Sequence, residues 1–182
     1  MTGPGNTTWT NVTSDIQLVR HLLELYFCWE YPTLASLSRE HFYTDFESGN
    51  SQYCSSLLVN ALLALGSRFC DRPEVRSNPD DAYTAGDCFF QEAQRLFWEL
   101  KEHNTLTVIQ ALGIMSIREA SCGRDFESRY YAGQSVRLAI ELGLHRPETY
   151  DHDDEDGCRV RLVTFWGAFA LDKSVTSSYL PT

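Results

Sequence analysis

The side chains with the most chemical potential lie between positions 145 and 157. His145 and His152 flank or enter a carboxylate run, Asp151-His152-Asp153-Asp154-Glu155-Asp156-Gly157. Imidazole with carboxylate suits zinc or iron, and an oxygen-rich loop suits calcium. The spacing supports neither. Placing Gly157 at the glycine position of an EF-hand loop puts His152 at its first ligand position and Val163 at its last, and both are wrong ligands for calcium. Pro147 stands between the two histidines, and no third ligand completes a motif. The run reads as a solvated, self-repelling surface loop, and the histidines as exposed or hydrogen-bonded. His21, His41 and His103 lie in or beside helical stretches, and nothing singles them out.

Nucleophile and acid–base patterns fare no better. Gly133-Gln134-Ser135-Val136-Arg137 begins like a nucleophile elbow but ends in arginine, and it sits inside a helical stretch rather than a strand-to-helix turn. Glu24 with Glu30, and Glu92 with Glu99, could be imagined as paired carboxylates. On helices with an apolar opposite face they read as solvent-side charges. No phosphate-cradling, dinucleotide-binding or zinc-protease motif is present. The expectation is a protein that is not an enzyme, with no catalytic, cofactor-binding or metal-binding residue.

These residues must sit on helices. Ile16, Val19, Leu22, Leu23, Tyr26 and Phe27 recur at three- and four-residue spacing, with Ser14 or Asp15 placed as a cap. A short helix follows over about 38–46. Leu57, Leu58, Ala61, Leu62, Leu65 and Phe69 form a third stripe, and the spacing predicts a fourth helix over about 81–103. Thr105 caps a fifth, ended by Cys122-Gly123. The sixth spans about 126–142, with Tyr130, Gly133, Val136, Ala139 and Ile140 inward and Gly143 as C-cap. A seventh runs over about 159–174. Alternation of period two is nearly absent, so the fold is all-α, about seven helices packed as antiparallel neighbours in one domain over 14–182, behind a flexible lead-in at 1–13.

Composition bounds the rest. The 182 residues carry 25 acidic and 15 basic side chains, a formal charge of −10. The basic residues are scattered, so the chain itself is not expected to hold DNA. No apolar run approaches a membrane span, and no secretory signal opens the sequence. The six cysteines are far apart and read as small buried hydrophobes of a reducing compartment, which leaves the sequons at Asn6 and Asn11 idle. The 23 aromatic residues read mainly as core, with a ligand pocket between helices as the other reading.

Five segments, in order, resemble a known family: Leu22-Leu23-Glu24-Leu25-Tyr26-Phe27 followed by Tyr31-Pro32; 56–66, with its run of leucines and alanines ending Ala64-Leu65-Gly66; Thr107-Val108-Ile109-Gln110-Ala111-Leu112; Ala139-Ile140-Glu141-Leu142-Gly143-Leu144-His145-Arg146; and 161–173, with Phe165-Trp166 and Asp172-Lys173. They are similar to the fungal-specific transcription factor domain, or middle homology region, of binuclear zinc cluster regulators. The resemblance covers about 16–180 and implies an all-α regulatory domain of a nuclear protein. It implies that zinc and DNA belong to a separate six-cysteine module absent from this chain. Partners would then be a small-molecule effector, other transcription proteins or a second copy, with no membrane involved.

Relatives of this kind continue with further helices, so the chain is expected to be an incomplete copy of a larger helical domain, truncated at its C-terminus. The helix bearing Phe165, Trp166 and Phe169 would then be left most exposed. The alternatives are a stand-alone helical enzyme or metal-binding protein using His145, His152 and the acidic loop, or a truncated interaction module.

Overall fold

Asp15 opens the first helix: its carboxylate accepts the amide protons of Gln17 and Leu18 at 2.9 and 3.2 Å, satisfying donors that a helix start leaves orphaned. This helix, α1, runs Ile16–Trp29. The computed structural model of the chain describes residues 8–146, 150 and 154–177. Over these residues there follow α2 (Arg39–Ser48), α3 (Ser56–Gly66), α4 (Asp87–Glu99), α5 (Leu106–Ser121), α6 (Asp125–Glu141) and α7 (Glu155–Ser177). Three single 3-10 turns lie between α3 and α4. Among the described residues there is no strand, only an isolated antiparallel bridge between Arg76 and Ala85. The fold is all-α.

The chain divides into two compact units. The first comprises the residues up to Thr33 together with Arg39–Lys101, and the second comprises Leu34–Ser38 with the residues from Glu102 onward.

In the first unit α3 is the centre. Every residue from Leu57 to Gly66 is buried, more than the one-sided stripe read from the sequence, because α1 and α4 both pack on α3. Phe69 leaves the stripe on a 3-10 turn and is partly exposed. Two glycines set the approach of the neighbours. A Cβ on Gly66 would stand 2.2 Å from the Leu22 carbonyl oxygen of α1, and one on Gly86 would stand 2.2 Å from that of Ala64 in α3. Gly86 also has φ +80, which ordinary residues avoid. That residue corrects the fourth helix, which begins at Asp87 and not near Asp81. Asp81 instead caps a 3-10 turn through the Tyr83 amide, and α4 ends at Glu99, where Leu100 turns extended. A ring cluster joins α1 to α2, with Phe27 5.7 Å from Phe42 and 5.1 Å from Tyr43, and Arg39 over both Phe27 and Tyr43.

Residues 8–13, read from the sequence as part of a flexible lead-in, are tied to this unit. The Trp9 indole donates to the Phe46 carbonyl at 3.1 Å, and the Thr10 hydroxyl donates to Asn60 Oδ1 at 2.7 Å. The fully buried Asn60 donates back to the carbonyls of Trp9 and Ser56. Residues 1–7 lie outside the described residues, as does the sequon asparagine Asn6.

The second unit is built on α5, α6 and α7. Ser116 meets Ser128, and Ile109 meets Ser135, so moving one heptad back along α5 moves one heptad forward along α6. The two are an antiparallel hairpin. Gln110 meets Thr164 and Gly113 faces Leu171, so α7 runs in the same direction as α5. The inner face of α6 is Ser128, Tyr131, Ala132, Ser135, Leu138 and Ala139. Of the residues expected inward only Ala139 is buried, and Tyr130 and Ile140 face solvent. Hydroxyls account for the rotation. Ser135 donates to the Ile109 carbonyl and Ser116 to that of Ser128, both at 2.8 Å, so short polar side chains serve as core. Gly143, φ +75, closes α6 as expected, with its amide on Ile140 and that of Leu144 on Ala139.

Helix α7 starts a turn earlier than the spacing predicts. Asp154 accepts the Gly157 amide at 2.9 Å, and Glu155 and Asp156 occupy the first turn, where acidic side chains favour a helix N-terminus. Residues 34–38 pack on this helix: a Cβ on Gly167 would fall 2.6 Å from that of Ser36.

Candidate functional site

The two charged pairs weighed in the sequence have different surroundings. Arg95 gathers both carboxylates of its helix face, Glu92 at 2.7 Å and Glu99 at 2.6 Å. Its hydrogen bond holds the Glu92 carboxyl below the usual carboxylate range. Glu24 is exposed on α1, while Glu30 lies beyond the helix end, where partial burial raises its carboxyl. Ser135 is buried with its hydroxyl on a main-chain carbonyl. His145 is exposed, accepting from Arg146 Nε at 3.1 Å and standing 6.4 Å from the Phe165 ring. His152, Asp151 and Asp153 lie outside the described residues; Asp154 caps α7, and Glu155, Asp156 and Gly157 belong to it.

Among the described residues no three His, Cys, Asp or Glu side chains converge on a point where a metal could sit. The cysteines differ from the sequence reading: Cys54 and Cys70 are buried, Cys122 and Cys158 half-buried, and Cys28 and Cys88 exposed. Burial, with the Asp45 charge adding to it, pushes the Cys54 thiol far above its ordinary range.

Two constellations had no signal in the sequence. Glu119, on α5, is 3% exposed and accepts from Arg118 at 2.5 Å and from Arg124 at 2.7 and 3.0 Å. This network locks the turn between α5 and α6. Asp45 closes the loop after α2 by accepting from the Tyr53 amide and from Asn50. Only the failure of such charges to fit a solvent face could have flagged them.

The aromatic residues supply the surface with the clearest capacity to act. The outward side of α7 carries Leu162, Trp166 and Phe169, exposed to 36, 59 and 37%. Phe165 and Phe169 stack at 6.0 Å, Trp166 meets Phe169 edge-on at 5.9 Å, and the Lys173 ammonium stands 5.4 Å from the Phe169 ring centre. The inward side holds Gly157, Val160, Thr164, Gly167, Ala168 and Leu171. The helix thus turns its largest apolar groups outward and mostly small ones inward, the reverse of an ordinary amphipathic surface helix. Contiguous exposed apolar patches of this kind mark contact surfaces.

The described residues form an all-α domain of seven helices, with aromatic side chains exposed on α7. Residues 23–179 match the family described as fungal specific transcription factor domain, and the chain belongs to that family. It is similar to the nitrogen assimilation transcription factor nirA of Emericella nidulans, 48% identical over 178 residues that cover 96% of this chain and 20% of nirA. It is 45% identical over 183 residues to the nitrogen assimilation transcription factor nit-4 of Neurospora crassa, covering 96% of this chain and 16% of nit-4. With the activatory protein CHA4 of Saccharomyces cerevisiae it shares 28% identity over 177 residues, 85% of this chain and 26% of CHA4. The chain therefore spans only 16–26% of the length of these relatives. No solved structure matches it. No helix among the described residues is long and apolar enough to cross a membrane.

Proposed function

We propose that this chain is the regulatory segment of a longer nuclear transcription regulator of fungal nitrogen assimilation. It acts without catalysis. DNA is contacted, and zinc held, by another part of that protein, and the signal reaches this segment as a small-molecule effector or as contact with another transcription protein. The observation that carries the reading is the identity of 48 and 45% with two nitrogen assimilation factors over 96% of the chain. The charge of −10 also supports it, since a chain of that sign repels a phosphate backbone.

The test is an exchange. The matching segment of nirA in Emericella nidulans is replaced by this chain, and nirA-dependent transcription is compared with that of a strain lacking the segment. The chimera is expected to restore regulated transcription where the deletion does not. A chimera no better than the deletion overturns the reading.

A further inference from the structure

Residues 8–13 are seated on the first unit by polar contacts to three helices. The Trp9 indole N–H donates to the Phe46 carbonyl of α2 at 3.1 Å. The Thr10 hydroxyl donates to Asn60 Oδ1 of α3 at 2.7 Å, and Asn60 Nδ2 donates back to the Trp9 carbonyl at 3.3 Å. The Asn11 side-chain amide donates to Glu92 of α4 at 3.3 Å. Each receiving group is provided for without them. Phe46 is among the last four residues of α2, whose carbonyls have no partner within the helix and accept from water when uncovered. Asn60 also donates to the Ser56 carbonyl one turn back, a 2.8 Å bond internal to α3. Glu92 is held by Arg95 at 2.7 Å. Two further bonds, from the Thr8 hydroxyl to the Thr10 carbonyl and from the Val12 amide to the Thr10 hydroxyl, are internal to the segment and travel with it.

Two features set this segment apart from fixed structure. Trp9 has φ +57, in the left-handed region that a bulky side chain occupies only while its surroundings hold it there. Asn60 is the one polar residue between Leu57 and Gly66 and is fully buried, so it adds a specific partner for Thr10 where an aliphatic side chain would only pack. Helix α1 does not need the segment, since Asp15 caps it through the amides of Gln17 and Leu18. From these contacts we infer that residues 8–13 are a latch, pinned by the Thr10 hydroxyl, that swings off the first unit about Thr13–Asp15 while the helices stay folded. The open form bares the Asn60 amide and the Phe46 carbonyl, which the closed form engages. A partner segment bringing a hydroxyl and an N–H to that pair would hold the latch open, as a ligand shifts a two-state equilibrium toward the state it binds. This latch is independent of the transcriptional role proposed above and is tested without it.

The test is hydrogen exchange followed by NMR on the 182-residue chain. Its indole N–H signals belong to Trp9, Trp29, Trp98 and Trp166, and Trp9→Phe identifies the first. The other three rings are exposed. The Trp9 indole is expected to be protected at least about tenfold relative to those three, yet at least about tenfold less than the α3 amides. Low urea should leave its rate unchanged while the α3 rates climb. Thr10→Val should speed Trp9 exchange about tenfold, and Thr10→Ser, which keeps the hydroxyl, should restore it. Trp9 exchanging as fast as the exposed indoles overturns the inference, because the segment would not be seated. So does a Trp9 rate that rises with urea in step with α3, because release would then require the unit to unfold. A Thr10→Val rate equal to that of the unaltered chain removes the pin, and with it the latch.

Discussion

Glu30 and Glu92 have opposite electrostatic surroundings in the same unit, and acid should separate them. Burial places the Glu30 carboxyl above its unfolded value, so its contribution favours folding in acid and is lost as pH rises through the folded value. Glu30→Gln should therefore raise the melting temperature at neutral pH, and the gain should vanish below about pH 4. Glu92 is held low by Arg95, so its contribution exists above the unfolded value and is lost as pH falls through the folded one. Glu92→Gln should lower the neutral melting temperature slightly, since Arg95 is largely exposed, and its deficit should close in acid. Thermal melts of both variants between about pH 7 and about pH 3 check the signs, and parallel curves would contradict them.

At the scale of elements, glycines decide how closely helices meet. Gly66→Ala places a methyl group 2.2 Å from the main-chain oxygen of Leu22, which no rotamer change relieves. It should cost more than about 2 kcal/mol. Gly133 lies inside α6 with nothing within 4 Å of its would-be Cβ, so Gly133→Ala should stabilise by about 0.5–1 kcal/mol. Chemical denaturation of the pair separates contact glycines from incidental ones. The same contrast shows what was legible beforehand. Apolar periodicity and capping residues such as Asp15, Thr105 and Gly143 located seven helices, because those signals are local. The inner face of α6 was misplaced because its core includes serines whose hydroxyls reach carbonyls of a helix distant in sequence. The N-terminus of α4 was misplaced because Gly86 answers to α3 and not to its own neighbours. The resemblance implies exposure of the helix bearing Phe165, Trp166 and Phe169, and of these Trp166 and Phe169 are exposed while Phe165 is half-buried. That Leu162 joins them needed the helix to be seen turned outward.

For the whole molecule, the order in which the chain visits its two units matters more than the boundary between them. It leaves the first unit after Thr33, returns at Arg39, and leaves again after Lys101. Neither unit is a continuous piece of sequence, so no single cut separates one from the other. Severing the chain between Lys101 and Glu102 yields an N-terminal fragment that still carries Ser36, the residue seated against Gly167 of the other fragment. The two fragments, made separately and mixed, should find each other and elute as one complex of full size. Ser36→Phe should prevent this by crowding Gly167. Fragments that remain apart would show that five borrowed residues do not suffice. If they assemble, the fold supplies a complementation pair, in which a reporter split at that junction reads out whether the second unit is intact.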